Sequence, residues 1–187
     1  KLAPVRLNLT LNTIHYTLNL IDTPGHVDFS YEVSRALAAV EGVILLVDAT
    51  QGIQAQTLAH GLAALEQNLT LIPAINKIDL LKLDLDRLQE IKMKLVDTFG
   101  FSQDEILMVS GKTGQGVDKL LEAIVVKIPA PKQDFEKPLK ALIFDSFYDA
   151  FKGVIAQVRI VEGQTPKSGN PIYFLQTRTE GHILETG

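Results

Sequence analysis

The chain has 187 residues, 46% apolar and 21% charged, a balance that excludes disordered and fibrous classes and allows one or two globular domains. Lys and Arg total 18 against 22 Asp and Glu, a net charge of −4, which excludes a global electrostatic grip on nucleic acid while leaving room for a local basic patch. Without cysteine there is no disulfide framework, thiol chemistry or Cys-based zinc site, a usage that suits a reducing compartment.

In chain order, Val5, Leu7, Leu9 and Leu11 alternate with polar or small residues, and Tyr16, Leu18 and Leu20 resume the alternation after Asn12-Thr13. Period-two patterning around a turn predicts a β-hairpin. Val43–Val47, Leu71–Ile75 and Ile106–Val109 are different in kind, being almost wholly apolar. Such runs suit strands covered on both faces, as in a parallel sheet. The runs Ala36–Val40 and Val43–Val47 are each five residues long, far short of the about 20 needed to span a bilayer. No basic segment followed by an apolar core opens the sequence, so no signal peptide is expected.

Helical spacing recurs between these runs: Phe29, Val33, Leu37 and Val40 in 28–40, Leu58, Leu62 and Leu65 in 54–67, and Leu85, Leu88, Ile91, Leu95 and Val96 in 84–98. Asp84 is placed to cap the third of these and Gly100 to end it. A last helix is predicted over 117–127, carrying Val117, Leu120, Leu121 and Ile124. Strands alternating with helices imply βαβ units, so residues 1–128 are expected to form an α/β layer sandwich. Residues 129–138 read as a proline-rich linker. After it come strand patterns alone, at 139–147, 153–161 and 171–176, with turns at Gly163–Gly169 and Gly181. Residues 139–187 are expected to be the start of a small β-barrel. The chain begins at Lys1 and ends at Gly187 inside a strand-like pattern, and is expected to be a piece of a longer protein.

Open α/β sheets bind ligands beyond the carboxyl ends of their strands. Three polar exits stand there: Asp22-Thr-Pro-Gly-His26, Asn76-Lys-Ile-Asp79 and Ser110-Gly-Lys112. Guanine presents adjacent N1–H and N2–H₂ donors that one carboxylate accepts as a pair, and adenine cannot supply them. A site built on that edge rejects adenine because its carboxylate would be left unpaired. Asp79 suits this role. Asn76 can address N7 while bracing the neighbouring loop, and the Lys77 stem can lie over the base plane. Ser110 and Gly111 are expected to offer backbone N–H groups towards O6, with Gly111 permitting close approach. Asp22 can hold Mg²⁺ as strand-end carboxylates do in P-loop NTPases, Gly25 can bring an N–H to a terminal phosphate, and His26 can orient the attacking water. Taken singly, Asp22 also reads as a turn residue, Asp79 as a cap and His26 as an ordinary loop histidine. D-x-x-G, then N-K-x-D, then S-x-K, each at a strand exit, is what points to GTP.

Asp22-Thr-Pro-Gly-His-Val-Asp-Phe29, Asp48-Ala-Thr-Gln-Gly52 with Gln56-Thr57, and Asn76-Lys-Ile-Asp79 resemble the GTP-binding domain of translational GTPases. The stretch Ile21–Leu37, with Phe29-Ser-Tyr-Glu-Val33, resembles the elongation factor 4 (LepA) family most, as do Phe144–Asp149 and Gly153-Val154 in the β segment. The resemblance implies a P-loop NTPase-type α/β fold followed by a partial β-barrel, and GTP hydrolysis on the ribosome. It also implies a GTP/GDP site formed by Asp22, Pro24, Gly25, Asn76, Lys77, Asp79, Ser110, Gly111 and Lys112, Mg²⁺ near Asp22, and His26 as the water-positioning residue. The implied partners are the ribosome, through rRNA and ribosomal proteins, and tRNA, with action on mispositioned ribosomes and back-translocation. The implied location is cytoplasmic with peripheral association at the inner membrane face, an organellar form being left open; nothing points to a homo-oligomer. Another translational GTPase such as elongation factor G, or a non-catalytic ribosome-binding module, remains open as an alternative. Against the family pattern, the phosphate-cradling G-x-x-x-x-G-K-[ST] loop is missing: Gly111-Lys-Thr113 has its tail, but Ile106 stands five residues earlier. The isolated chain is therefore expected to bind GTP weakly and hydrolyse it barely.

Overall fold

The computed structural model describes residues 2–23, 30–80, 84–132 and 134–187. It falls into two compact units, Lys1–Ala130 and Pro131–Gly187. In the first, β1 (Ala3–Leu11) and β2 (Ile14–Asp22) form the antiparallel hairpin, with Leu11 opposite Ile14. Asn12 and Thr13 both take positive φ, 47° and 70°. Two left-handed residues make the mirror-image turn whose twist matches that of the strands it joins.

β3 (Gly42–Asp48), β4 (Thr70–Asn76) and β5 (Leu107–Met108) form a separate three-stranded parallel sheet in the order β3-β4-β5. Four helices accompany these strands in the first unit: α1 (Ser30–Leu37), α2 (Ala55–Glu66), α3 (Leu85–Phe99) and α4 (Val117–Lys127). Alternate residues of a strand face opposite sides, and β4 is buried on both. Leu71 and Ile75 join Leu45 and Val47 of β3, Val33 and Leu37 of α1, Ala64 of α2, and Leu88, Ile91 and Leu95 of α3 in one apolar core. Ile72 and Ala74 are buried on the other side of the strand, and α4 also packs against β4. This two-sided burial is why β4 reads as an unbroken apolar run.

Local signals set the ends of α3 as expected. The Asp84 carboxylate accepts the Arg87 N–H at 3.0 Å, and Gly100 closes the helix in the left-handed region at φ 76°. At the start of α4, Gly116 has φ 74°, and a side chain there would collide with the Met108 carbonyl oxygen. Only glycine lets the chain pass β5 so closely. The strand expected over 106–109 is shorter, Leu107–Met108, flanked by Ile106 and Val109, whose side chains are buried.

In the second unit β6 (Lys140–Asp149) pairs antiparallel with β7 (Gly153–Glu162), and β8 (Pro171–Phe174) with β9 (Thr179–His182). The turn expected at Gly181 is corrected: Gly181 lies inside β9 opposite Ile172, and the reversal falls between Phe174 and Thr179, where Arg178 takes φ 57°. A methyl at Gly181 would approach the Phe174 ring to 3.1 Å. The glycine accommodates that aromatic side chain rather than a bend.

Candidate functional site

Parallel pairing carries two polar loops to one end of the sheet. Asp48 stands opposite Asn76, and Ile75 opposite Met108, so Asn76–Asp79 and Val109–Gly111 leave side by side. Backbone bonds continue past the strands: Val109 N–H donates to the Ile75 carbonyl at 2.8 Å, and Ala49 N–H to that of Asn76 at 2.9 Å. The loops thus start from a rigid base.

Asn76 joins them. Its Oδ1 accepts the Lys77 N–H at 2.8 Å and the Gly111 N–H at 3.0 Å. Both acceptor positions of the amide oxygen are then used, which leaves Nδ2 to donate to an acceptor such as purine N7. Asp79 sits in a 3-10 turn, Ile78–Leu80, and its Oδ1 accepts the Ser110 hydroxyl at 2.6 Å. Ser110 is fully buried, and every polar group on it is engaged. Its N–H donates to the Gln115 carbonyl at 2.9 Å, its carbonyl accepts from Gly114 N–H at 2.9 Å, and its Oγ accepts from Thr113 N–H at 3.2 Å. A buried hydroxyl so fixed holds the carboxylate in one orientation, leaving Oδ2 and a lone pair of Oδ1 for two incoming donors.

The backbone donors depart from expectation. The Ser110 N–H is spent on Gln115, so it does not face O6; the Gly111 N–H reaches an outside acceptor only by sharing with Asn76 Oδ1. A methyl at position 111 would meet Asn76 at 3.8 Å, ordinary contact, so the loop itself does not require glycine there. Lys112 is exposed. Asp22 ends β2, exposed and opposite Ala3. Among the described residues no group of three or more His, Cys, Asp or Glu gathers to hold a metal. Pro24, Gly25 and His26 lie outside the described residues.

Asp48 was not among the expected site residues. Lys77, in the left-handed region at φ 64°, places its Nζ 2.7 Å from Asp48 Oδ2. Asp48 Oδ1 accepts the Thr50 N–H at 2.8 Å and its hydroxyl at 2.7 Å. Burial pushes the Asp48 carboxyl up, but the Lys77 and Thr50 hydrogen bonds and the Lys77 charge outweigh it and hold the group at about 2. A depressed carboxyl contributes stability that is complete above its unfolded value near 4 and is lost as pH falls towards 2. Urea midpoints of the native chain and Asp48→Asn should therefore differ most at about pH 6 and converge as pH falls below about 3; a constant gap would show that Asp48 acts without its charge.

A parallel sheet that presents polar loops at adjoining strand exits, one carrying a carboxylate locked by a buried serine, defines a nucleotide-binding α/β domain. Residues 4–130 match the Elongation factor Tu GTP binding domain, and the chain belongs to that family. It is 54% identical over 172 residues to "Elongation factor 4" of Aquifex aeolicus, covering 92% of this chain and 28% of the relative. It is 53% identical over 189 residues to that of Dehalococcoides mccartyi, covering 100% of this chain and 30% of the relative. The chain thus spans less than a third of the curated relatives it matches. Among solved structures it resembles a bacterial selenocysteine-specific elongation factor, EF-Sec, with TM-score 0.73 at 24% identity over 96% of this chain and 31% of the other. It also resembles elongation factor SelB of Methanococcus maripaludis, solved with a GTP analogue, with TM-score 0.72 at 24% identity over 95% of this chain and 39% of the other. These two neighbours establish the fold.

Proposed function

We propose that this chain recognises the guanine base within a ribosome-associated GTPase of the elongation factor 4 type. The observation that carries the reading is the Asp79 carboxylate, oriented at 2.6 Å by the buried Ser110 hydroxyl and set beside Asn76. Asp79 accepts guanine N1–H and N2–H₂, Asn76 Nδ2 donates to N7, the Gly111 N–H is shared with O6, and the Lys77 stem covers one face of the ring. Asp22 would hold a Mg²⁺ ion, which when bound neutralises phosphate charge. His26, following Gly25 in the sequence, orients the attacking water.

The wider setting that goes with this reading is a ribosome partner, with tRNA contact, action on mispositioned ribosomes and back-translocation. Any membrane association is read as peripheral, at the inner face; no helix among the described residues is long and apolar enough to cross a membrane. The phosphate-cradling motif is not among these 187 residues, so base recognition rests on the two loops alone, and weak binding with negligible turnover is the expected behaviour. Backbone NMR of the purified chain titrated to millimolar nucleotide tests this. GDP should shift the amide signals of Asn76, Asp79 and Gly111 while ADP leaves them in place. Equal response to both nucleotides, or to neither, overturns the reading.

A further inference from the structure

Lys77 belongs to the loop that recognises the base, yet its ammonium group is committed elsewhere. Nζ lies 2.7 Å from Asp48 Oδ2, across from β4 to the end of β3, while half of the Lys77 side chain stays open to solvent at 49% exposure. The lysine is pinned at both ends. Its backbone is held in the left-handed region by the Asn76 Oδ1 bond to its N–H, and its tip by a carboxylate 29 residues away in sequence. Asp48 is itself immobilised. Its Oδ1 closes a turn on the Thr50 N–H and hydroxyl, its carbonyl accepts the Gly52 N–H at 2.7 Å, and the Thr50 carbonyl accepts Arg87 Nη2 of α3 at 3.3 Å. Its Oδ2 is thereby left for the lysine.

We infer that Asp48 is a positioning residue of the guanine site: it clamps the Lys77 ammonium so that the methylene stem is laid out beforehand as a flat apolar surface for the base. The inference rests on the guanine reading above and adds a residue that need not touch the nucleotide. A free lysine side chain carries substantial rotamer entropy. Ordering it before the ligand arrives removes that cost from binding, the general benefit of preorganisation. The solvent-open part of the stem is available for a planar ring to cover, while the charged tip keeps its partner throughout. The 49% and 20% exposures of the two side chains make the pair a clamp in contact with solvent rather than a buried ion pair, so its contribution to stability alone is modest.

A double-mutant cycle on the 187-residue chain, with GDP as the probe, reads this. Asp48→Asn should weaken GDP about fivefold to tenfold in chemical-shift titration. In a Lys77→Met background, whose unclamped stem no longer responds to residue 48, the same change should have no effect. The Lys77 ammonium proton resonance, followed without nucleotide, should be visible in the native chain at low temperature and vanish in Asp48→Asn. If the native chain prefers GDP over ADP but Asp48→Asn binds it equally well, the clamp is refuted and the guanine reading stands. If Asp48→Asn loses binding equally in both backgrounds, Asp48 acts through the loop rather than through Lys77, and the clamp is again refuted. If the native chain does not prefer GDP over ADP, both readings fall together.

Discussion

Asp79→Asn should transfer the chain's preference from guanine to xanthine nucleotides. The Ser110 hydroxyl donates to Oδ1 of residue 79 at 2.6 Å, and a hydroxyl donor selects an oxygen partner. In the variant the amide oxygen therefore stays with Ser110, and the new NH₂ group turns towards the base. Against guanine it meets N1–H and N2–H₂, donor facing donor, with the desolvation of both left uncompensated. Xanthine carries an oxygen at C2 and accepts from it. Losing a charge-assisted pair and facing donors with donors costs at least about 3 kcal/mol, on the order of a hundredfold or more in affinity. Competition between GDP and XDP, followed through the Asn76 and Gly111 amide signals, measures the switch. Retained preference for GDP would place base recognition somewhere other than Asp79.

The second large effect concerns the strand that carries this site. Ile75 is fully buried, pairs with Val47 on one side and Met108 on the other, and belongs to the core formed with α1, α2 and α3. Ile75→Ala removes three carbons from a position with no room to relax towards solvent, and should cost about 2–5 kcal/mol. Among the described residues the α-helices all lie in the first unit, so helical circular dichroism at 222 nm during urea unfolding reports mainly on that unit. The midpoint should fall sharply, whereas Val126→Ala, at a side chain 75% exposed, should change stability by no more than about 0.5 kcal/mol. Comparable effects at the two positions would mean that the β4 core is already loose. Because Asn76 follows directly, a loss at Ile75 should also weaken the bracing of Gly111.

Much of the site was legible in the residues themselves, for identifiable reasons. The unbroken apolar run Leu71–Ile75 announced a strand covered on both faces, and the polar residues after it had to stand at a strand exit. Asp84 and Gly100 announced the ends of α3, since capping is a contact between neighbours in sequence. Asn12-Thr13 announced the hairpin turn by the same locality. Errors arose where a residue type has two uses. Gly181 was expected to bend the chain and instead makes room for Phe174, and the Ser110 amide was expected to face a base and instead closes its own loop on Gln115.

Local patterns thus encode the set of elements and the chemical inventory at their ends. Periodicity and capping follow from side chains within a few positions of one another, and burial on one or two faces leaves its mark in a single strand. Tertiary structure alone decided which inventory acts together. Ser110 reaches Asp79 across 31 residues, Gly111 reaches Asn76 across 35, and Asp48 meets Lys77 because β3 and β4 run parallel with Asp48 opposite Asn76. Such pairings depend on register between strands distant in sequence, and no local pattern encodes a register. Asp48 stood in plain view at a strand exit; its partner became visible only when two strands lay side by side.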